Sequence, residues 1–528
     1  MLGPGPEAVT IPRGTLRTTI LSESILHRGQ WNNGNAEDLG AGFSGPLGAP
    51  HLSWLGELDE QVAALGVTGL NASLGETSLT LRQRLAVTHL GFEYGLSNRL
   101  TLSVDAPFVR TRVEGLLRAR GDSGLATAGL NPYFIGSGVP LANRTTIDRY
   151  SSAATSLTSR RTACQGNPGA FPECATILAE AGQVDALITG AQQFATGLAT
   201  TYGAQGLGDG LPFVPRAGSE AEQLLLQRVD AFRTGFTRYG VTDITPMTGL
   251  PVGAQTPLTA TQLAALVTDP NVGFGAQPMT RTSRQDLGDI DIGVRFNVLD
   301  KFAGDSARLA ANSRGIRQTV GVIFRVGGGN FDLPDNFIDL GTGSGHSAIS
   351  VRSYTDLVLN DRFWTTVTVG WARGFAHDRD LRIPSFAGVE WLEAWRTSSV
   401  RVEPGSVLEM RVAPRWVISD YFSIGSEWRW RSKGEDRHII ATDIMADPPQ
   451  NAVALLPNVL NSQSDWNEHR WGWHVSYSTL AAEARGRSRV PLEIGYTHEQ
   501  SIASSVGIIP RRWEDRIQIR YYTRFLGR

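Results

Sequence analysis

The stretch FEYGLSNRLTLSVDAPF (92–108) sets Phe92, Tyr94 and Leu96 at every second position, bends at Ser97-Asn98, and resumes with Leu100, Leu102 and Val104. A period of two on either side of a short polar bend describes an antiparallel hairpin. The unit recurs in IDIGVRFNVLDKF (290–302), YTDLVLNDRFWTTVTVGW (354–371) and RWVISDYFSIGSEWRW (415–430). In each copy, apolar residues alternate with Arg, Glu and Asp, so every ribbon has one greasy and one wet face. Closed into a barrel, such ribbons put lipid outside and a polar lumen inside.

Twelve stretches carry the pattern, near 14–27, 77–96, 99–116, 284–299, 314–329, 345–360, 362–376, 405–419, 421–436, 464–480, 488–502 and 511–526. The even-numbered links read as short turns and the odd-numbered ones, including the eleventh, as longer loops. That alternation is expected of periplasmic turns and extracellular loops. Parity is clean in most strands: Ile290, Ile292, Val294 and Phe296 oppose Asp289, Asp291 and Arg295. The second strand shifts parity around Leu85–His89 and the sixth is mixed, which a bulge or rim position explains. The reading is therefore all-β: a transmembrane antiparallel up-and-down β-barrel of about twelve strands with a largely helical extracellular loop insertion. Residues 1–116 supply strands one to three with the first long loop, 117–283 the insertion, and 284–528 strands four to twelve.

The insertion is too long for a plain loop. Ile177, Val184, Leu187, Ile188, Ala191, Phe194 and Leu198 form a helical stripe. A second helix opens at Ser219 with Glu222 three residues on, and a third at Thr259 with Gln262. Another is expected around Leu55–Leu65. Whether the insertion caps the mouth or plugs it stays open at this point.

Bulk properties agree. The 528 residues carry a formal charge of −2, so nucleic acid is not an expected partner, and lysine is scarce beside arginine. No apolar stretch approaches the roughly 20 residues of a spanning helix, which says nothing against spanning strands. The start, MLGPGPEAVTIPRG, shows no signal-peptide pattern. The barrel reading nevertheless places the protein in a bacterial outer membrane, with the given start taken as mature or downstream of the true one. Cys164 and Cys174, close together in a Gly/Pro-bearing stretch, read as a loop disulfide of an oxidising compartment. No His or further Cys stands near them, so neither a metal nor a cofactor is expected.

Tyr94, Trp364, Trp371, Trp416, Tyr421, Trp471, Trp473 and Trp513 gather beside turns and read as interfacial girdles against membrane lipid. Ordinary strand propensity for aromatics is the alternative, and their clustering beside turns favours the girdles. Parity aims the charges Glu93, Asp105, Asp289, Asp291, Arg295, Arg325, Glu409, Arg411 and Arg415 inward. It does the same for Glu427, Arg429, Arg431, His474, Glu493, Arg516, Arg520 and Arg524. They form either a selectivity lining or an ion-pair brace across a narrow interior. The late-strand surplus of Arg tilts any passage toward anionic solutes.

Enzyme signatures are missing: no phosphate loop, nucleophile elbow or metalloprotease motif occurs. The glycine runs at 326–330 and 341–345 read as turn punctuation. His474 and Ser476 resemble the His-x-Ser pair of outer-membrane phospholipase A, also a twelve-stranded barrel. Parity turns both into the lumen, away from lipid substrate, so a lipid-modifying enzyme is the third reading and no enzyme is expected.

The segments FEYGLSNRLTLSVDAPFV (92–109), LGDIDIGVRFNVLD (287–300) and LGTGSG (340–345) resemble those of the outer-membrane transporter family named for the meta-pathway of phenol degradation. The resemblance runs from about residue 77 to the C-terminus and omits 117–283. It implies a barrel that passes small, often apolar molecules, and it transfers no ligand residues. A departure is the ending, which extends past Phe525 to Leu526-Gly527-Arg528. The first expectation is a channel or uptake barrel, passing a small anionic or aromatic solute by passive diffusion through a charge-lined lumen. The second is a closed structural barrel that displays the insertion to a partner protein.

Overall fold

A computed structural model describes residues 7–120, 125–242, 249–301, 314–360, 362–442, 454–484, 488 and 490–524. Twelve strands close into one antiparallel barrel. They are β1 (Thr15–Asn32), β2 (Ser73–Ser97), β3 (Leu100–Arg120), β4 (Ile290–Asp300), β5 (Gly315–Val326) and β6 (Ala348–Val358). The second half comprises β7 (Phe363–Gly374), β8 (Val407–Val417), β9 (Phe422–Lys433), β10 (Trp466–Ser478), β11 (Leu492–Ala503) and β12 (Ile508–Arg524). Each strand pairs with its sequence neighbours, and β1 closes the ring by pairing with both β12 and β2. All twelve expected strands are present.

The polarity is inverted relative to a water-soluble sheet. Outward positions of β4 (Ile292, Val294, Phe296, Val298) are exposed, while the inward Arg295 and Asn297 are buried. On β8, Leu408, Met410 and Trp416 are exposed and Arg411 and Arg415 buried. Exposed apolar residues continue around the wall through Phe92, Leu102, Val322, Val369, Trp473 and Ile519. Such a belt suits hydrocarbon, and closure leaves no backbone edge unpaired within it.

Several turns match the reading and three features differ. Links two, six and eight are tight, but link ten, expected to be a short turn, runs from Ser478 to Leu492 and carries a short helix, Leu480–Ala484. Link four lies outside the described residues. The eleventh link, expected to be long, spans only Ala503 to Ile508 and turns at Gly507 (φ +74°), where a Cβ would meet the Asp465 carbonyl at 1.9 Å. The bulge expected near Leu85–His89 is absent, because β2 and β3 keep one register from Glu76 through Gly95. The apparent phase shift is instead an apolar patch of the inner wall, where Leu85 and Val87 pack with Ile25 and Val109.

Strands β1–β3 run 18, 25 and 21 residues, well beyond the roughly 9–11 that cross a bilayer, so they project past the belt. Around their ends lie six helices: α1 (Ser53–Ala64), α2 (Val139–Gly166), α3 (Cys174–Ala179), α4 (Ala181–Tyr202), α5 (Glu220–Arg238) and α6 (Ala260–Thr268). Ser219 caps α5 by accepting from the Glu222 N–H, and Thr259 with Gln262 forms a full capping box on α6. The expected stripe 176–199 divides into α3 and α4 at Glu180. A single apolar core joins Leu55 and Leu58 of α1, Tyr150, Phe194 and Phe232 of the insertion, and Leu74, Leu79 and Val113 of the strand ends. The helices thus pack against the projecting strand ends. Cys164 and Cys174 form a disulfide between α2 and α3.

Candidate functional site: the barrel lumen

Three features partition the lumen. At one end the segment 7–13 threads inside and is held by wall hydrogen bonds. The Ile11 N–H donates to Thr101 Oγ1 (2.8 Å), Arg295 Nη1 donates to the Glu7 carbonyl (3.4 Å), and the Thr319 hydroxyl donates to the Ala8 carbonyl. Arg415 pairs with the Glu7 carboxylate at 3.3 Å, and Ile11 packs against Tyr522 and Leu480. Nothing in PGPEAVTIPRG marks this role. Its apolar residues are too few for a periodic signal, so sequence reading misses it.

At the other end the link between β5 and β6 folds inward. The Thr111 hydroxyl donates to the Leu340 carbonyl (3.3 Å), and a Cβ on inward-facing Gly115 would meet Ile338 at 3.3 Å and the Met279 carbonyl at 2.6 Å. Asp289, expected on the lumen wall, acts instead as the staple of this link. Its carboxylate accepts from Gly329 N (3.0 Å), Ser344 N (2.7 Å) and Ser344 Oγ (2.6 Å). The two glycine runs read as turn punctuation are needed because they touch: a Cβ on Gly329 would fall 2.5 Å from Gly343 Cα.

Between these ends lies a cavity of about 350 Å³. Glu93 lies in its wall, held by Arg17 and Arg295. Asp105 pairs with His89 at 2.7 Å and Asp291 with Arg325 at 2.8 Å. Arg411, His474, Arg516 and Arg520 also line it. Inward glycines make room for these long side chains: Gly321 stands opposite Arg295, Gly370 opposite Arg352, and Gly425 opposite Arg415. A Cβ at Gly321 or Gly370 would press on the facing Arg at 3.2 Å.

On one side of the wall, β8–β12 carry a buried ion-pair lattice. Glu427 receives Arg411, Arg429 (3.4 Å) and Arg516 (3.5 Å), and Glu409 stands 3.9 Å from Arg429 and 4.0 Å from Arg431. Glu493 accepts from Tyr522 Oη at 2.6 Å and Ser478 Oγ at 3.2 Å. Sequence reading leaves out Glu468, Arg470, Glu499, Arg512 and Glu514, all of them members. Arg470 meets Glu468 at 2.6 Å, Arg512 meets Glu514 at 2.6 Å, and Arg516 bonds Glu499. Each stands an even number of residues from a residue that was read, so strand parity was the available signal. Arg524 lies exposed at the end of β12, outside this lattice.

Of the girdle candidates, Trp371, Trp416, Trp471 and Trp473 point outward and are exposed. Tyr94 shares the outward parity of Phe92. Tyr421 stacks on Tyr477 at 5.9 Å, and Trp513 lies under Arg28 (4.7 Å) and Arg511 (5.9 Å). Trp364 is a correction: it faces inward and is buried, with the Arg415 guanidinium 3.9 Å from its ring centroid. Trp364 and Trp371 are seven positions apart, so a regular strand cannot send both to the lipid side. His474 and Ser476 are buried on the lumen side, with Ser476 Oγ 2.6 Å from Ser423 Oγ.

Closed strand order, inverted polarity and a charged interior define a transmembrane β-barrel of outer-membrane type. No protein-family model matches the chain, and no curated protein matches it. Among solved structures, the chain is similar to an outer-membrane channel from Pseudomonas putida F1, with 8% identity, a TM-score of 0.42, and coverage of 99% of this chain and 100% of that one. It is also similar to a Pseudomonas aeruginosa FadL homologue (7% identity, TM-score 0.28, 97% and 90% covered). A third is the P. putida toluene transporter TodX (8% identity, TM-score 0.26, 98% and 92% covered).

Proposed function

We propose that this protein is an outer-membrane channel that admits small molecules through the lumen, with the insertion as its extracellular cap and segment 7–13 as its periplasmic closure. The observation that carries this reading is a cavity of about 350 Å³ held between two inward-folded segments rather than filled by wall side chains. A barrel meant only as a scaffold gains nothing from glycines that hold an interior open. The resemblance of 92–109 and 287–300 to transporters of the phenol meta-pathway family supports the same reading. The second reading, a closed barrel that displays the cap to a partner protein, is favoured by the buried lattice around Glu427 and Glu499, which braces one wall.

Planar-bilayer conductance separates the two. The full chain should show small, infrequent openings. Removing residues 1–11 deletes the Glu7, Ala8 and Ile11 contacts and should raise the current several-fold. If neither protein passes current while both insert, the channel reading fails and the closed barrel stands.

A further inference from the structure

The mid-lumen cavity offers both apolar surface and nitrogen donors. Leu21 of β1, Ile323 of β5 and Tyr354 of β6 supply apolar surface, while Arg352, His474 and Arg520 bring nitrogen donors. The acids that line the cavity are already engaged: Glu93 by two arginines, Asp105 by His89, and Asp291 by Arg325. Three basic groups are less completely engaged. Arg352 lies across Gly370, which Glu409 faces from the other side; its charge acts on Glu409, but it makes no hydrogen bond or ion pair within 4.0 Å among the described residues. Arg520 is 5% exposed and forms a long ion pair with Glu493 at 4.0 Å, while its Nε and Nη1 make no hydrogen bond. His474 is 2% exposed and its Nε2 is likewise unpartnered. Buried donors without acceptors are costly unless something completes them. The same lumen also shows a carboxylate brought in from outside the wall: Glu7, on the threaded segment, is held by Arg415 over the Trp364 ring.

We infer that this cavity is a binding site for a small monocarboxylate with an apolar body, its carboxylate held by Arg352 and Arg520 with His474 beside them and its body against Leu21, Ile323 and Tyr354. The inference rests on the channel reading for its purpose, yet binding is measurable without transport. An arginine pair selects a carboxylate over an alcohol of the same shape through charge-assisted hydrogen bonds, and the volume lies at the lower end of small-molecule sites.

The test is calorimetric titration of the intact, detergent-solubilised protein with benzoate as probe and benzyl alcohol as its uncharged counterpart. Benzoate should bind and benzyl alcohol should not. Arg352→Gln should weaken benzoate by about tenfold or more, while Arg352→Lys, which keeps the charge, should retain part of the affinity. Heat-modifiable gel mobility verifies that each variant remains a folded barrel, and Arg352→Lys carries the comparison if Arg352→Gln does not fold. Equal binding of the two probes would overturn the carboxylate assignment, and no binding of either would overturn the site. Benzoate binding by a protein that passes no bilayer current would uphold this inference and reject the channel reading, so the two failures are distinct.

Discussion

In the cap, Val184, Phe194 and Leu198 are buried, whereas Arg144, Arg238 and Glu180 lie at the surface in pairs. In the barrel the arrangement is reversed: Val294, Phe296 and Ile517 are exposed while Arg317, Glu427 and Glu499 lie inside. One chain follows both patterns because its two parts meet different solvents. Water drives the cap's apolar groups together. Hydrocarbon gives the barrel's apolar face no such incentive but penalises any charge left on it, so charges collect inside, where most of them meet an opposite charge. The same contrast governs what holds each part. The cap depends on packing and the disulfide, the barrel on backbone pairing and a lattice of buried ions.

The sharpest attack on this contrast removes one ion from the lattice. Glu427→Ala leaves Arg411, Arg429 and Arg516 short of a shared acceptor and should cost on the order of 3–5 kcal/mol, read as a lower unfolding temperature of the detergent-solubilised barrel. The matching change in the cap, Glu180→Ala, breaks an exposed pair with Arg238 and should leave that temperature unchanged. Similar behaviour of the two variants would dissolve the distinction. Next in size is Val294→Arg, in the middle of the outer belt. In lipid it should cost about 2–4 kcal/mol and reduce refolding into vesicles. At the exposed cap residue Leu178 the same replacement should change little. A harmless arginine at 294 would mean that water, not hydrocarbon, covers this face.

The third prediction concerns pH and the loops beside the cap. Burial pushes the Glu390 carboxyl up to about 7, and nearby Glu37 adds to the shift. A carboxyl that holds its proton more tightly when folded stabilises fully below its unfolded value near 4.5. That contribution is lost as pH rises to about 7. Resistance of the loops to proteolysis should therefore fall between those limits, by on the order of 2–3 kcal/mol. Glu390→Gln should flatten the dependence, and an unchanged profile in that variant would remove Glu390 as the cause.

Local pattern made the strands legible, since membrane strands alternate residue by residue and short turns announce themselves. Helices α4 to α6 were legible from stripes and caps. Helix α2 was not: its buried face is built from Ala153, Ala154 and Leu157 among serines and threonines, so hydrophobic contrast is weak. The inward charges followed from parity, but their partners did not, because Glu427 and Arg516 are 89 residues apart and meet only through barrel closure. Trp364 was misplaced by treating proximity to a turn as stronger evidence than strand phase.

By itself, then, the order of residues determined which stretches are strands, which face of each meets lipid, and that a helical insertion interrupts them. The register information is carried by neighbours, so it survives without a fold. Only tertiary structure decided that residues 7–13 enter the lumen, that Asp289 gathers two glycine runs, and that Arg352 and Arg520 stand before a common cavity. Those relations join residues far apart along the chain, and closing the barrel is what brings them within reach of one another.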